Sequence, residues 1–177
     1  MTLLVLGMIV PIGAIDVLYY HLHRFRLYER EQSVAEELTH LARHVTFVAL
    51  VALLAGGVRD AWTDAAILAL FAFDLLNSSA DVLLEPRSRA SLGGLPPGEY
   101  FLHFLGTFGT AAATATYVFE RSELPIAPAQ GWVALQSTSM IVGGVALFAL
   151  EAALFVRALR SRARDRARNR GRRIARA

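Results

Sequence analysis

Hydrophobic residues in this chain fall into five long blocks that are separated by short polar segments. The blocks cover residues 3–23, 38–58, 61–84, 100–119 and 132–156. Each block has about the 20 residues that a helix needs to cross the core of a bilayer. The pattern therefore predicts an all-α integral membrane protein. Its domain over residues 1–156 is a bundle of five transmembrane helices, and residues 157–177 form an Arg-rich tail.

Composition supports a membrane environment and removes several classes of chemistry. The 177 residues are 55% hydrophobic and include no cysteine, which excludes disulfides, thiolate metal sites and a cysteine nucleophile. The chain has no glycine-rich phosphate loop, no G-x-S-x-G and no H-E-x-x-H. Nucleotide and serine hydrolysis are therefore disfavoured, and the short connections leave no soluble domain for another active site.

The arginines predict the orientation of the helices. All 18 basic residues are arginine, and ten of them lie in the tail that begins at Arg157. Others lie between spans one and two and between spans three and four, whereas only Arg59 and Arg121 flank the opposite side. The positive-inside rule then places the N-terminus outside and the C-terminus in the cytoplasm, which agrees with an odd number of spans. We expect a multi-pass protein of the cell membrane, such as a bacterial inner membrane.

Histidines and carboxylates are concentrated near the predicted cytoplasmic ends of all five spans. Charged groups inside a membrane are costly unless they are paired, hydrated or metal-bound, so a shared layer of them indicates a functional site. The layer consists of Asp16, His21, His23, Glu37, His40, His44, Asp74, Asp81, Glu85, Glu99, His103 and Glu151.

Helical spacing selects a centre for this layer. His40 and His44 are four residues apart and Glu37 precedes His40 by three, so all three share one face of a helix. E-x-x-H also occurs in di-iron carboxylate bundles, although those bundles carry a second copy that this chain lacks. Mixed imidazole and carboxylate ligands suit iron, zinc or manganese. The predicted metal ligands are Glu37, His40, His44, His103, Asp16, Asp74 and Asp81.

Simpler interpretations stay open for the same residues. His40 and His44 could form interhelical hydrogen bonds or lie near lipid headgroups, and Asp74 and Asp81 could pair with Arg43 or Arg87. His21 and His23 adjoin Arg24, which favours solvation at the membrane surface. Ser33 and Glu36 have the spacing of a capping box at the start of span two.

Three functions fit these features. The favoured one is a metal-dependent membrane oxidoreductase that acts on a lipid-soluble substrate. The alternatives are a proton or cation transporter, and a small haem-binding or accessory subunit of a membrane complex. Homo-oligomers or a partner membrane subunit are compatible with each. The tail is expected to contact anionic lipids, which its charges attract, and nucleic acid is disfavoured as its partner.

The predicted orientation is directly testable with engineered surface tags. A tag near Arg87 should be accessible only from the cytoplasmic side, and a tag near Arg121 only from outside, because the arginine bias holds the first segment inside. Tag accessibility in intact cells and in inverted vesicles measures both positions. The reverse pattern would contradict the placement of the polar layer on the cytoplasmic side.

Overall fold

A computed structural model of the chain describes residues 1–174, with side chains through residue 168. Five helices follow one another: α1 (Thr2–Ile15), α2 (Val34–Gly56), α3 (Ala61–Arg89), α4 (Pro97–Glu120) and α5 (Gly131–Ile174). A π-helical segment, Asp16–Arg24, continues α1 directly. Residues 175–177, the last part of the predicted tail, lie outside the described residues.

Successive helices run in opposite directions, which gives the bundle two distinct ends. At one end Thr2 of α1 bonds Glu120 at the end of α4, and Asp64 at the start of α3 bonds Arg121. Val58 and Ile126 exchange two backbone hydrogen bonds there. We call this the apolar end, because the nearby core is hydrophobic. The polar end, where α1 finishes and α2 begins, holds most of the buried charges.

Two packing groups build the bundle. α1 lies along α4, while α2 packs against both α3 and α5; α1 also touches α5. The hydrophobic core occupies the half near the apolar end and includes Leu6, Val51, Ile67, Ala113 and Tyr117. In the other half the buried side chains are mostly polar, so the bundle interior changes character along its length.

The outer surface of the bundle is apolar. Met8, Trp62, Leu83, Phe108 and Val142 are among many large hydrophobic side chains that are exposed, which is stable against lipid but not against water. Four helices are long and apolar enough to cross a membrane: Thr2–Arg24, Glu31–Gly56, Ala61–Leu92 and Gly131–Arg168. The 24-residue α4 is also long enough, at about 36 Å for 1.5 Å per residue, but is richer in threonine and glycine.

The π-helical segment changes the phase that an α-helix would give to the end of span one. Its backbone bonds reach five residues along the chain, as when Phe25 N–H donates to Tyr20 C=O at 3.0 Å. Asp16 and His21, five residues apart, therefore lie on one side and are both buried, whereas His23 is exposed. The expectation that His21 is solvated at the surface is therefore wrong.

Two helix starts show different capping. The Asp60 carboxylate accepts hydrogen bonds from Thr63 N–H and Trp62 N–H at 2.8 and 2.9 Å, and these bonds with the Thr63 hydroxyl lower the pKa of Asp60. The charged carboxylate then stabilises the start of α3. At α2 the predicted capping box is wrong, because Ser33 makes no side-chain cap bond and instead accepts from Ser88 Oγ at 2.7 Å.

Two helices extend beyond their predicted ends. α3 continues through Pro86 to Arg89, past the predicted boundary at 84, which carries Arg89 into the protein interior. α5 continues through the first part of the predicted tail, and Arg162 donates a 2.8 Å hydrogen bond to Tyr28 C=O. Packing against the connection between α1 and α2 therefore supports part of the Arg-rich segment.

The α1–α4 contact predicts a sharp difference between two glycines of α4. A methyl group at Gly109 would overlap Ile9 Cγ2, whereas the same group at Gly106 has no non-local neighbour within 4 Å. Gly109→Ala should lower the free energy of unfolding by about 1–3 kcal/mol through overpacking. Thermal unfolding in detergent checks this, with Gly106→Ala as the matched control. Equal stability of the two variants would contradict the close packing of α1 on α4.

Candidate metal centre

Buried polar side chains from all five helices meet at the polar end. Each helix supplies at least one histidine or carboxylate whose side chain is nearly inaccessible. Three overlapping groups have ligand atoms that all lie within 4.8 Å of one another, close enough for each group to hold a metal ion. They are Asp16 with His21, Glu99 and His103; His21 with His40 and Glu151; and Glu36 with His40 and Asp81.

The first group joins α1 to α4. Asp16 Oδ2 lies 2.9 Å from His103 Nε2, and His21 Nε2 lies 3.4 Å from Glu99 Oε1. The other ring nitrogen of His103 lies 2.5 Å from Glu85 Oε1 on α3. Glu85 therefore fixes the orientation of the imidazole, and His103 Nε2 faces Asp16.

The third group, Glu36 with His40 and Asp81, joins α2 to α3. His40 Nε2 is 3.3 Å from Asp81 Oδ2, and the Thr39 hydroxyl donates to Asp81 Oδ1 at 2.6 Å. Asn77 Nδ2 donates to the backbone oxygen of Thr39 at 2.8 Å. Neighbouring polar groups thus hold the carboxylate of Asp81 in place against His40.

Glu151 of α5 lies near both of the histidines that the groups share. The rings of His21 and His40 have centroids 4.1 Å apart, and Glu151 offers an oxygen to both. Glu151 Oε2 is also 2.8 Å from His44 Nε2, while its Oε1 has no hydrogen-bond partner among the described residues. A carboxylate with one free buried oxygen is suited to bind a cation.

Arg89 is the permanent cation within this cluster. Its side chain is fully buried, donates to Glu36 Oε2 at 2.9 Å, and forms an ion pair with Glu99. It also donates to Ser88 Oγ at 3.0 Å and approaches His21 Nε2 at 3.4 Å. One guanidinium therefore links carboxylates of α2 and α4 from the end of α3.

Negative charge exceeds positive charge among the buried side chains of the candidate metal centre. Arg89 and the imidazoles of His21, His40, His44 and His103 face seven buried carboxylates. Even with a proton on every imidazole, two carboxylates would lack a positive partner, and uncompensated charge in a membrane interior costs several kcal/mol. Bound cations or further protons must supply the balance. The seven are Asp16, Glu36, Glu37, Asp81, Glu85, Glu99 and Glu151.

The residues predicted as metal ligands divide into two sets in the structure. Four of them, Asp16, His40, Asp81 and His103, belong to the three groups. Two others have different contacts: Asp74 Oδ1 lies 3.6 Å from Arg43 Nε, in agreement with the ion-pair interpretation, and His44 bonds Glu151. Glu37 is fully buried, and neither of its oxygens has a hydrogen-bond partner within the described part of the chain.

Sequence reasoning gave too little weight to several central residues. α-Helical spacing does not predict that His21 is buried, because the segment is π-helical. Glu36 has the spacing of a capping residue. Arg89 lies in the predicted connection between spans three and four, although it is a buried counter-ion in the structure. Glu99 belongs to the predicted polar layer but not to the predicted ligands, although it precedes His103 by four residues and so shares its face. Glu151 carried a weaker signal, as an isolated acid in an apolar span.

Comparison with protein-family models, with curated proteins and with solved structures finds no match to this chain.

The buried ion pairs of Arg89 predict a large effect of its removal. Arg89→Gln leaves Glu36 and Glu99 without their cation and should lower the free energy of unfolding by about 3–5 kcal/mol. Arg87→Gln, at an exposed position two residues away, is the matched control and should change it by less than about 0.5 kcal/mol. Denaturation in detergent micelles measures both. An unchanged Arg89→Gln variant would contradict the buried bridge.

Proposed function

We propose that this protein is a metal-dependent membrane enzyme, an oxidoreductase that acts on a lipid-soluble substrate at the polar end of its helical bundle. The observation that carries the proposal is the interlocking of three possible ligand groups through His21 and His40. A purely structural polar network would satisfy its buried atoms internally, yet Asp16 Oδ1, His21 Nδ1 and Glu151 Oε1 have no hydrogen-bond partner among the residues described.

The donor set favours iron, manganese or zinc. Imidazole nitrogen and carboxylate oxygen are ligands for all three metals, whereas the chain offers no thiolate and its three methionines are too few for a soft-metal site. Iron or manganese would supply one-electron chemistry that connects a reduced substrate to dioxygen. The protein residues would hold the ion, exclude water and position a substrate that arrives through lipid.

The one-sided interior favours an enzyme over a transporter. Between the polar end and the opposite surface, most buried side chains are apolar, and the buried hydroxyls of Thr46 and Ser137 donate to backbone oxygens of their own helices. That half therefore offers an ion few ligands. His21 and His40 cannot both be axial ligands of one haem, because their rings are 4.1 Å apart and leave no room for a porphyrin between them.

We further propose that all five helices cross the bilayer, with the polar end on the cytoplasmic side. Alternating helix directions and the exposed phenylalanines of α4, Phe101, Phe104 and Phe108, support membrane insertion of α4 with the other four. Arg157, Arg160 and Arg164 then lie just beyond the membrane on α5, beside Ala153 and Val156. This arrangement suits contact with anionic headgroups.

Metal content tests the binding step. Protein purified in mild detergent and loaded with Fe²⁺, Mn²⁺ or Zn²⁺ should retain at least one equivalent after desalting. His40→Ala should lose at least half of it, because His40 belongs to two of the ligand groups. His23→Ala, at an exposed histidine, is the control and should bind normally. A folded wild-type protein that retains no metal would refute the proposal.

Oxygen uptake tests the reaction class. Iron-loaded protein in nanodiscs with a long-chain quinol as lipid-soluble reductant should consume dioxygen at least tenfold faster than His40→Ala treated in the same way. The His23→Ala variant should match the wild type. If the protein retains metal but takes up dioxygen no faster than His40→Ala, oxygen-dependent oxidation of the quinol is contradicted. Metal-assisted hydrolysis is then favoured.

A further inference from the structure

We propose that the candidate metal centre holds two metal ions, one between α1 and α4 and the other between α2 and α3. The inference rests on the proposed metal-binding function and specifies how many ions bind and which residues hold each.

The possible ligands sort by helix pair. Asp16 and His21 lie on the π-helical continuation of α1, and Glu99 and His103 lie on α4, which packs along α1. Glu36 and His40 lie on α2, and Asp81 lies on α3, which packs along α2. Each packed pair of helices thus carries a complete ligand group of its own, which we call the α1–α4 site and the α2–α3 site.

The separations within each site are close to those of ligands around a shared ion. Metal bonds of about 2.0–2.2 Å place neighbouring ligand atoms about 3.0–3.5 Å apart. In the α1–α4 site the separations are 2.9 Å for Asp16 and His103, 3.4 Å for His21 and Glu99, and 3.8 Å for His21 and Asp16. In the α2–α3 site His40 and Asp81 are 3.3 Å apart.

The facing nitrogens of both sites lie against carboxylate oxygens. His103 Nε2 is 2.9 Å from Asp16 Oδ2 and His40 Nε2 is 3.3 Å from Asp81 Oδ2, so each pair is an ion pair when the imidazole is protonated. When the imidazole is neutral, the nitrogen lone pair and the carboxylate oxygen face each other and can bind one cation together. A cation between them satisfies both.

Outer contacts orient a ligand in each site. Glu85 Oε1 lies 2.5 Å from His103 Nδ1, which leaves His103 Nε2 free for the ion. The Thr39 hydroxyl holds Asp81 Oδ1, so that Asp81 Oδ2 faces His40. Metal-binding histidines usually donate their second N–H to a carboxylate or carbonyl, and ligating carboxylates are themselves hydrogen-bonded.

Glu151 connects the two sites. Its carboxylate lies within ligand distance of both His21 of the α1–α4 site and His40 of the α2–α3 site, and its Oε1 is free of hydrogen bonds within the described chain. A carboxylate in this position bridges two ions. Arg89 couples the same sites from the other side, because it pairs with Glu99 of one and Glu36 of the other.

The test uses the full-length protein in detergent, stripped with a chelator and loaded separately with Mn²⁺, Fe²⁺ and Zn²⁺. Elemental analysis should give two ions per chain for the wild type and one for each of His103→Gln and His40→Gln. The double variant should bind none, and His23→Gln should bind two. Electron paramagnetic resonance of the Mn²⁺ form should show an exchange-coupled pair that becomes an isolated Mn²⁺ signal in either single variant.

The outcomes separate this inference from the proposed function. One ion per chain in the wild type, or an uncoupled Mn²⁺ signal at full loading, overturns the two-ion arrangement and leaves a metal enzyme standing. No bound ion overturns both. If a folded single variant loses both ions, the assignment of separate sites is wrong. Because wild-type stoichiometry and coupling decide the matter, the inference stays testable even if a variant fails to fold.

Discussion

The ion pairs of Arg89 with Glu36 and Glu99 are the interaction on which the polar end depends. A buried charge inside a membrane is tolerated only with a partner, and this guanidinium serves carboxylates from two helices at once. It can do so because α3 continues through Pro86 and carries Arg89 inward. The same bridge joins the α1–α4 pair to the α2–α3 pair, which carry the histidines of the site.

The buried carboxylates that Arg89 does not neutralise are what suit this end of the bundle to bind cations. Carboxylates outnumber the positive groups that surround them, and several buried oxygens and nitrogens lack hydrogen bonds among the described residues. A polar network that served only stability would pair all of its buried atoms in hydrogen bonds, because an unpaired buried polar atom is destabilising. A negatively charged network with unpaired atoms at one end of an otherwise apolar bundle is best understood as a site that binds cations. The hydrophobic core in the other half confines that site to the polar end.

Local backbone geometry decides which residues enter the site. Along an ordinary α-helix, Asp16 and His21 would point in different directions, whereas the π-helical segment places both against α4. π-Helical turns are rare and often occur at functional positions. Here the π-helical segment buries His21, which the sequence predicts at the membrane surface, and makes it a member of two ligand groups.

The sequence by itself determined the helical class, the membrane environment and the five helices, because apolar blocks of that length leave few other structures. It also placed histidines and acids near one end, since depth and α-helical phase can be counted along a chain. Of the seven ligands that it predicted, Asp16, His40, Asp81 and His103 belong to the groups in the structure. Tertiary structure decided the rest: Asp74 pairs with Arg43, Arg89 turns inward, and His21 meets His40. Those contacts depend on a π-helical phase, on a helix that passes through proline and on which helices pack together. None of these three features can be predicted from the local periodicity of hydrophobic residues.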